Sequence, residues 1–245
     1  MTRLIVNADD FGLTLQVSHG ISELIAAGAV SSTSVMATAE DVERAIAEHG
    51  GGPVASRAGV HLQITGATAP LTRGGSIVDP RTGTFHLHPL PREVNPEDVQ
   101  REWRAQIERV GELLGRTPSH LDTHHGYHRD PRFAQAYLDL AREYGLPVRA
   151  GAPGPAPAGV RSPDRTIRDW TTKGLPLEAL LAMVDEAGLD EDEIAEVVTH
   201  PGYADARLRD ISSLSDERER ELAELRRLPS ALEDRAWTLA THADL

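Results

Sequence analysis

Nine residues in the middle of the chain, His120-Leu-Asp-Thr-His-His-Gly-Tyr-His128, hold four of its eleven histidines and an aspartate. Crowded imidazoles are costly unless something keeps them neutral and oriented, and a divalent metal does both. Three other segments carry matching side chains. Asn7-Ala-Asp-Asp-Phe-Gly12 follows an apolar run near the N-terminus, Gly59-Val-His-Leu62 lies further on, and Thr199-His-Pro-Gly202 lies late. Together they form a scattered Asp/His set of the kind a fold gathers around a metal. The chain has no cysteine, so disulfides and thiolate sites are excluded. Any metal must be held by His, Asp or Glu.

The elements that would position these residues alternate between strand and helix. Leu4 to Val6 reads as a buried strand ending at Asn7-Ala-Asp-Asp10. Thr14 caps a helix over 15–27 with Val17, Ile21, Leu24 and Ile25 as its apolar stripe, and Gly28 ends it. Strands are expected over 32–38 and 58–64, the second carrying His61. A short helix is expected before Gly50-Gly-Gly52. Residues 65–95 lack periodicity and form a long excursion. Val99, Trp103, Ile107, Val110 and Leu114 mark a helix over 96–114, with Trp103 in its core. A strand over 119–122 leads into the histidine run, a helix follows over 131–144, and a strand over 147–150 carries Arg149. Residues 150–163 form a mobile loop. A helix over 176–187, a strand over 194–199 ending at His200, and a helix from 215 to about 225 complete the chain.

This alternation, with no linker and no short-period repeat, predicts a single α/β domain over residues 1–245. The expected fold is a barrel-like, distorted TIM-type arrangement of mostly parallel strands. Chemistry in such folds sits at the C-terminal ends of strands. Asp9, Asp10, His61, the histidine run, Arg149 and His200 all fall there in this reading. The net charge of -13 argues against a nucleic-acid groove or an anionic membrane surface. The acidic stretches Asp185 to Glu193 and Asp216 to Glu224 read as solvated helix faces. No apolar run approaches the roughly eighteen residues of a membrane span. No signal peptide is evident, and a cytoplasmic enzyme, paired as a homodimer, is expected.

The chain resembles the YdjC-like carbohydrate deacetylases, a family that includes chitooligosaccharide deacetylases and hopanoid-associated members. The resemblance rests on Asn7-Ala-Asp-Asp-Phe-Gly12, Gly28-Ala-Val-Ser-Ser-Thr33, Gly59-Val-His-Leu62 and Pro118-Ser-His-Leu-Asp-Thr-His-His125. His128, Arg149, His200-Pro-Gly-Tyr203 and Glu217-Arg-Glu-Arg-Glu-Leu222 complete it. The motifs occur in family order over nearly the whole chain. Many relatives carry a third consecutive histidine where this chain has Gly126, which concerns the rim of the substrate site.

The resemblance implies one divalent metal held by an aspartate and two histidines, His61 and His124. By analogy with NodB-type polysaccharide deacetylases, Asp10 is assigned to the metal and Asp9 to general-base work. Two adjacent carboxylates repel, so one gains by binding a cation while the other is left to take a proton. That repulsion does not fix the order, and the reverse order stays open. The resemblance makes His200 the acid for the leaving amine. Arg149 either holds the base carboxylate or neutralises the pair. Asp122 orients an imidazole. His120 and His128 are second-layer or substrate-contacting residues, and His125, adjacent to His124 on an extended chain, points elsewhere. Asn7 caps a turn, His86 and His88 lie at the surface, and His19, His49 and His242 carry no signal.

The expected activity is metal-dependent removal of acetyl from an N-acetylated sugar, a small chitooligosaccharide or an N-acetylglucosaminyl conjugate. Zn or Mg is the expected metal, with Mn, Co and Ni as alternatives for an N/O donor set. One competing reading is a hydrolase of phosphate esters or non-sugar amides on the same barrel. Phosphate calls for basic clamps, and Arg149 with Arg129 is thin provision. The other is a metal- or sugar-binding relative without turnover, against which the spare carboxylate argues.

Overall fold

In the computed structural model, residues 1–168, 170 and 176–245 are described. Strand β1 (Arg3–Phe11) leads to helix α1 (Leu15–Ala26), β2 (Ser32–Val35), α2 (Val42–His49), α3 (Pro53–Arg57) and β3 (Ala58–Leu62). After the long excursion come α4 (Pro96–Leu114), β4 (Leu121–Thr123), a 3₁₀ segment His124–Arg129 and α5 (Ala134–Tyr144). Then follow β5 (Arg165–Ile167), α6 (Leu177–Ala187), β6 (Ile194–Thr199), α7 (Ala206–Ile211), α8 (Asp216–Leu225), α9 (Leu228–Arg235) and β7 (Thr238–Leu239). The strands pair in the order β4-β3-β2-β1-β6-β5, with β7 beside the start of β1. Every one of these pairings is parallel. The α/β class and the barrel-like, parallel arrangement expected from the sequence are borne out.

The sheet is strongly curled, and one side chain proves it. Strands β4 and β6 lie four steps apart in the sheet, which in a flat sheet is about 19 Å. Yet the Arg149 guanidinium reaches Asp122 of β4 at 2.9 Å and Glu196 of β6 at 2.8 Å. The strands must therefore wrap around it. Parallel strands covered on the outside by helices bury both faces, which is why β1, β2, β3 and β6 are buried along nearly their whole length.

Local signals acted as the sequence suggested. The Thr14 hydroxyl accepts from the Val17 amide, and Val17, Ile21, Leu24 and Ile25 are buried. Trp103 is fully buried in the core. The strand expected at 147–150 is reduced to one bridge, Leu121 to Val148. The Leu121 amide donates to Pro147 and the Arg149 amide donates to Leu121, and then the Pro- and Gly-rich segment departs. A strand forms instead at β5, after that segment, where Arg165 to Ile167 pair with β6. Residues 86–88 form no strand: His86 is half-buried with its Nε2 beside the Ser76 carbonyl, and His88 is exposed.

Candidate metal centre

β1 delivers both members of the carboxylate pair, although alternation along a strand should send neighbours to opposite faces. The exception is built into the backbone. Asp10 has φ 71°, in the left-handed region, and the β1–β2 register shifts between Ala8 and Phe11. Such a bulge re-aims a side chain, and Asp tolerates this conformation better than most residues. As a result both carboxylates face His61. Asp10 Oδ1 lies 3.2 Å from His61 Nε2, and Asp9 Oδ2 lies 3.9 Å from His61 Nδ1.

The two aspartates have different surroundings. Asp9 is gripped at both oxygens by Arg149, at 2.7 and 2.8 Å, and accepts a further bond from Asn7 Nδ2 at 2.7 Å. Burial opposes ionisation of Asp9, but Arg149 outweighs it and the pKa falls below the usual carboxylate value. Asp10 has one oxygen on Arg218, at 2.6 Å from Oδ2. Its Oδ1 is buried and has no hydrogen-bond partner. Burial again opposes the charge, while Arg218 and the imidazoles of His124 and His61 hold this carboxyl well below the ordinary range.

Around that orphaned oxygen the geometry suits a cation. Asp10 Oδ1 is 3.2 Å from His61 Nε2 and 3.3 Å from His124 Nδ1, and the two imidazole nitrogens are 3.3 Å apart. A tetrahedral ion with bonds of about 2.0–2.1 Å separates its ligand atoms by about 3.3–3.4 Å. Asp10, His61 and His124 are the expected ligand set, and they converge. A second trio, Asp9, His61 and Asp122, also lies close together. Its oxygens already accept from Arg149 and Asn7, so it fits an orienting network rather than a second ion. Within it, His61 Nδ1 meets Asp122 Oδ1 at 2.6 Å and Ser34 Oγ at 3.2 Å. This is the carboxylate–imidazole pairing that fixes a ligand's ring and leaves the other nitrogen for the metal. Although burial disfavours the charged ring, Asp122 and Asp9 push the His61 pKa up to about 10.

The remaining histidines separate. His200 follows β6, with Nε2 3.8 Å from Asp9 Oδ2 and its amide donating to Glu221 at 2.7 Å. Burial pushes its pKa down to about 4. His125 turns away at φ 57°, its Nδ1 2.8 Å from Thr65 Oγ1 and its ring 4.5 Å from that of His88. His88 also meets the Tyr127 hydroxyl at 2.9 Å. His128 is buried with Nδ1 at 2.6 Å from Thr123 Oγ1. His120 precedes β4, stacks on His242 at 3.6 Å, and has its Nε2 3.8 Å from Oδ2 of Asp122, the carboxylate that holds His61. At the rim, a Cβ on Gly126 would fall 2.4 Å from the Arg129 guanidinium. That guanidinium fills the space a side chain at position 126 would need.

Several residues of this centre escaped the sequence reading. Arg218 and Glu221 lie in a stretch read as solvated helix, yet both are buried. The signal was their spacing: Arg218, Glu221, Leu222 and Leu225 share one face of α8. Glu196 sits within an otherwise apolar strand, where a lone carboxylate needs a partner, and Arg149 is that partner. Burial raises its pKa. Asn7 is no turn cap; its amide ties Asp9 to Asp122. A cavity of about 460 Å³ is lined by Arg129, Thr166, Ile167, Arg168 and Met183. None of the ligand set lines it. Arg129 ends the segment that begins at His124, and Arg168 Nη2 lies 3.5 Å from the Ala150 carbonyl.

The model of the YdjC-like protein family matches residues 3–229. A carbohydrate deacetylase of Enterococcus faecalis V583 is 32% identical over 99% of this chain and 98% of its own length. A carbohydrate deacetylase of Geobacillus stearothermophilus is 33% identical over 90% and 88%. A solved structure from E. faecalis V583, provisionally described as a cellobiose-phosphate cleavage protein, superposes with TM-score 0.88 at 31% identity, covering 99% and 98%. A CE4 esterase of Streptococcus mutans superposes with TM-score 0.55 at 15% identity over 98% and 85%, a likeness of fold.

Proposed function

This chain belongs to the YdjC-like family, and from that premise we propose that it is a metal-dependent hydrolase that removes acetyl from N-acetylated sugars. The observation that carries the reading is the orphaned Asp10 Oδ1, facing His61 Nε2 and His124 Nδ1 beside an Arg149-held Asp9. Asp10, His61 and His124 would hold the metal. When bound, a divalent cation supplies Lewis acidity that polarises an acetyl carbonyl and acidifies a water.

The chain's own residues do the rest. Asp9 takes the proton of the attacking water. Its lowered pKa keeps it ionised at neutral pH, and the two-pronged grip of Arg149 fixes both oxygens. His200 faces Asp9 across 3.8 Å and serves the leaving amine. Its pKa of about 4 means that it starts neutral, so it must gain a proton within the cycle before donating it to the amine nitrogen. The water's proton, held at Asp9, is the nearest source. Asp122 and Ser34 keep the His61 ring in place, and Arg218 holds Asp10 so that one oxygen points at the two imidazoles.

An N-acetylglucosaminyl unit or short chitooligosaccharide is the substrate class, with the cavity beside Arg129 and Arg168 as the place for the rest of the sugar. Phosphoester hydrolysis fits less well, because Arg149 and Arg218 are consumed by carboxylates of the protein. The test is acetate release from a panel of N-acetylated mono- and disaccharides, with metal content measured on the same samples. Metal-loaded protein that releases no acetate from any member would end the proposal.

A further inference from the structure

A second cavity, of about 250 Å³, lies at the other end of the strands. Its walls come from residues where strands begin: Ser32 at the start of β2, Arg57 before β3, and Ser119 before β4. Arg116, Arg161 and His242 also line it. Three guanidiniums thus share one small cavity in a protein of net charge -13. Among the described residues, no Asp or Glu side chain pairs with any of the three. Arg57 donates to the Val30 carbonyl at 3.5 Å, and Arg161 to the main-chain oxygen of Leu245 at 2.7 Å. Arg149 and Arg218, by contrast, are saturated with carboxylates.

His242 adds an independent observation. It lines the cavity, is 1% exposed, and has no hydrogen-bond partner at Nε2. Its Nδ1 lies 3.1 Å from Ser32 Oγ, and its ring lies flat on His120 with planes 4° apart. His120 is itself held in place: a Cβ on Gly59 would fall 2.3 Å from its Nδ1. A buried donor or acceptor left unmatched costs about 1–3 kcal/mol. Among the described residues, Arg57 and Arg116 have no carboxylate beside them, and like charges gathered around one small cavity add repulsion. A small oxyanion relieves both, since guanidinium donors match its oxygens in pairs. The volume falls below the roughly 300–1,000 Å³ of sites for larger ligands, which suits a phosphate-sized group with little attached.

We propose that this cavity binds a small phosphate-bearing anion, with Arg57, Arg116 and Arg161 supplying charge and His242 Nε2 a hydrogen bond. The site is separate from the metal centre and does not rest on the proposed activity. Titration calorimetry of the metal-loaded protein with inorganic phosphate and with glucose 6-phosphate, at constant ionic strength, tests it. Saturable binding of at least one probe is expected. The tighter probe tells whether the ligand is free phosphate or a phosphomonoester. Arg116 and Arg161 are exposed, so the Arg116→Ala/Arg161→Ala double variant should fold and keep its basal acetate release. It should bind at least about tenfold more weakly, the worth of a lost charge-assisted hydrogen bond. Should the double variant fail to fold, Arg116→Gln alone carries the same comparison. No saturable binding to the unaltered protein overturns the proposal. So does undiminished binding by the variant, which would put the anion at the metal centre.

Discussion

The two ends of the barrel hold similar residues in opposite electrostatic settings. At one end, His61 and His124 approach each other edge-on across Asp10, and the arginines there are neutralised by aspartate and glutamate. At the other, His120 and His242 stack face to face, and the arginines nearby have no Asp or Glu side-chain partner among the described residues. The same residue types therefore suit a cation at one end and an anion at the other. What decides is the partner each group is given, since a carboxylate beside an imidazole favours its charged form and burial without one disfavours it.

The largest expected effect breaks the cation end outright. His61→Ala and His124→Ala should each lose bound metal and, with it, about 10³ or more in rate, read by elemental analysis and acetate release. Full metal occupancy in both variants would remove them from the ligand set. Next comes the division between the aspartates. Asp9→Asn should keep its metal and lose about 10²–10⁴ in turnover, whereas Asp10→Asn should lose metal affinity. The reverse pattern would exchange their roles.

A smaller loss, about 10² in kcat, is expected for His200→Ala with metal content unchanged. It should shrink for an activated ester, whose leaving group needs less help from a proton. Equal losses on amide and ester would make His200 a positioning residue.

The finest contrast is in pH, where the two ends have opposite signs. In metal-free protein His61 is raised to about 10, so its stabilising contribution is complete below its ordinary value of 6.5 and disappears as pH rises toward 10. A proton and a metal then compete for His61. Zinc affinity should fall by up to about tenfold per pH unit on acidification, with a proton released on binding that two-buffer calorimetry can count. His242 is held well below 6.5 by burial and then by His120, so its burial costs stability as pH falls below that value. His242→Phe should make that acid-side decline shallower, by at most about 1.4 kcal/mol per pH unit in urea melts. An unchanged slope would mean that His242 protonates freely in the folded state.

Much of the fold was readable because helix and strand periods are local. Thr14, the stripe from Val17 to Ile25, and the run from Val99 to Val110 each specify their own element. Short elements were not readable. β5 has three residues and β7 two, too few for a period to emerge. Of the candidate site, the donors were legible and their partners less so. Arg149 was noted as a holder of the base, but its simultaneous grip on Asp9, Asp122 and Glu196 follows from the curl of the sheet. Arg218 and Glu221 were hidden in an acidic helix because charge alone does not tell a solvated face from a buried one.

The sequence by itself determined which donors are available, the order of the longer strands and helices, and a site limited to His, Asp and Glu by the absence of cysteine. Tertiary structure decided which of those donors meet. His120 and His124 are four residues apart, yet the extended β4 between them carries the chain about 13 Å, leaving one against His242 and the other at Asp10. Asp9 and Asp10 should diverge by alternation, yet a left-handed residue in β1 brings both to His61. Arg149 meets Asp9 across 140 residues of sequence, and Arg218 meets Asp10 across 208. A local pattern records which face of its own element a side chain occupies. What waits opposite that face is set only when the sheet curls and the helices close over it.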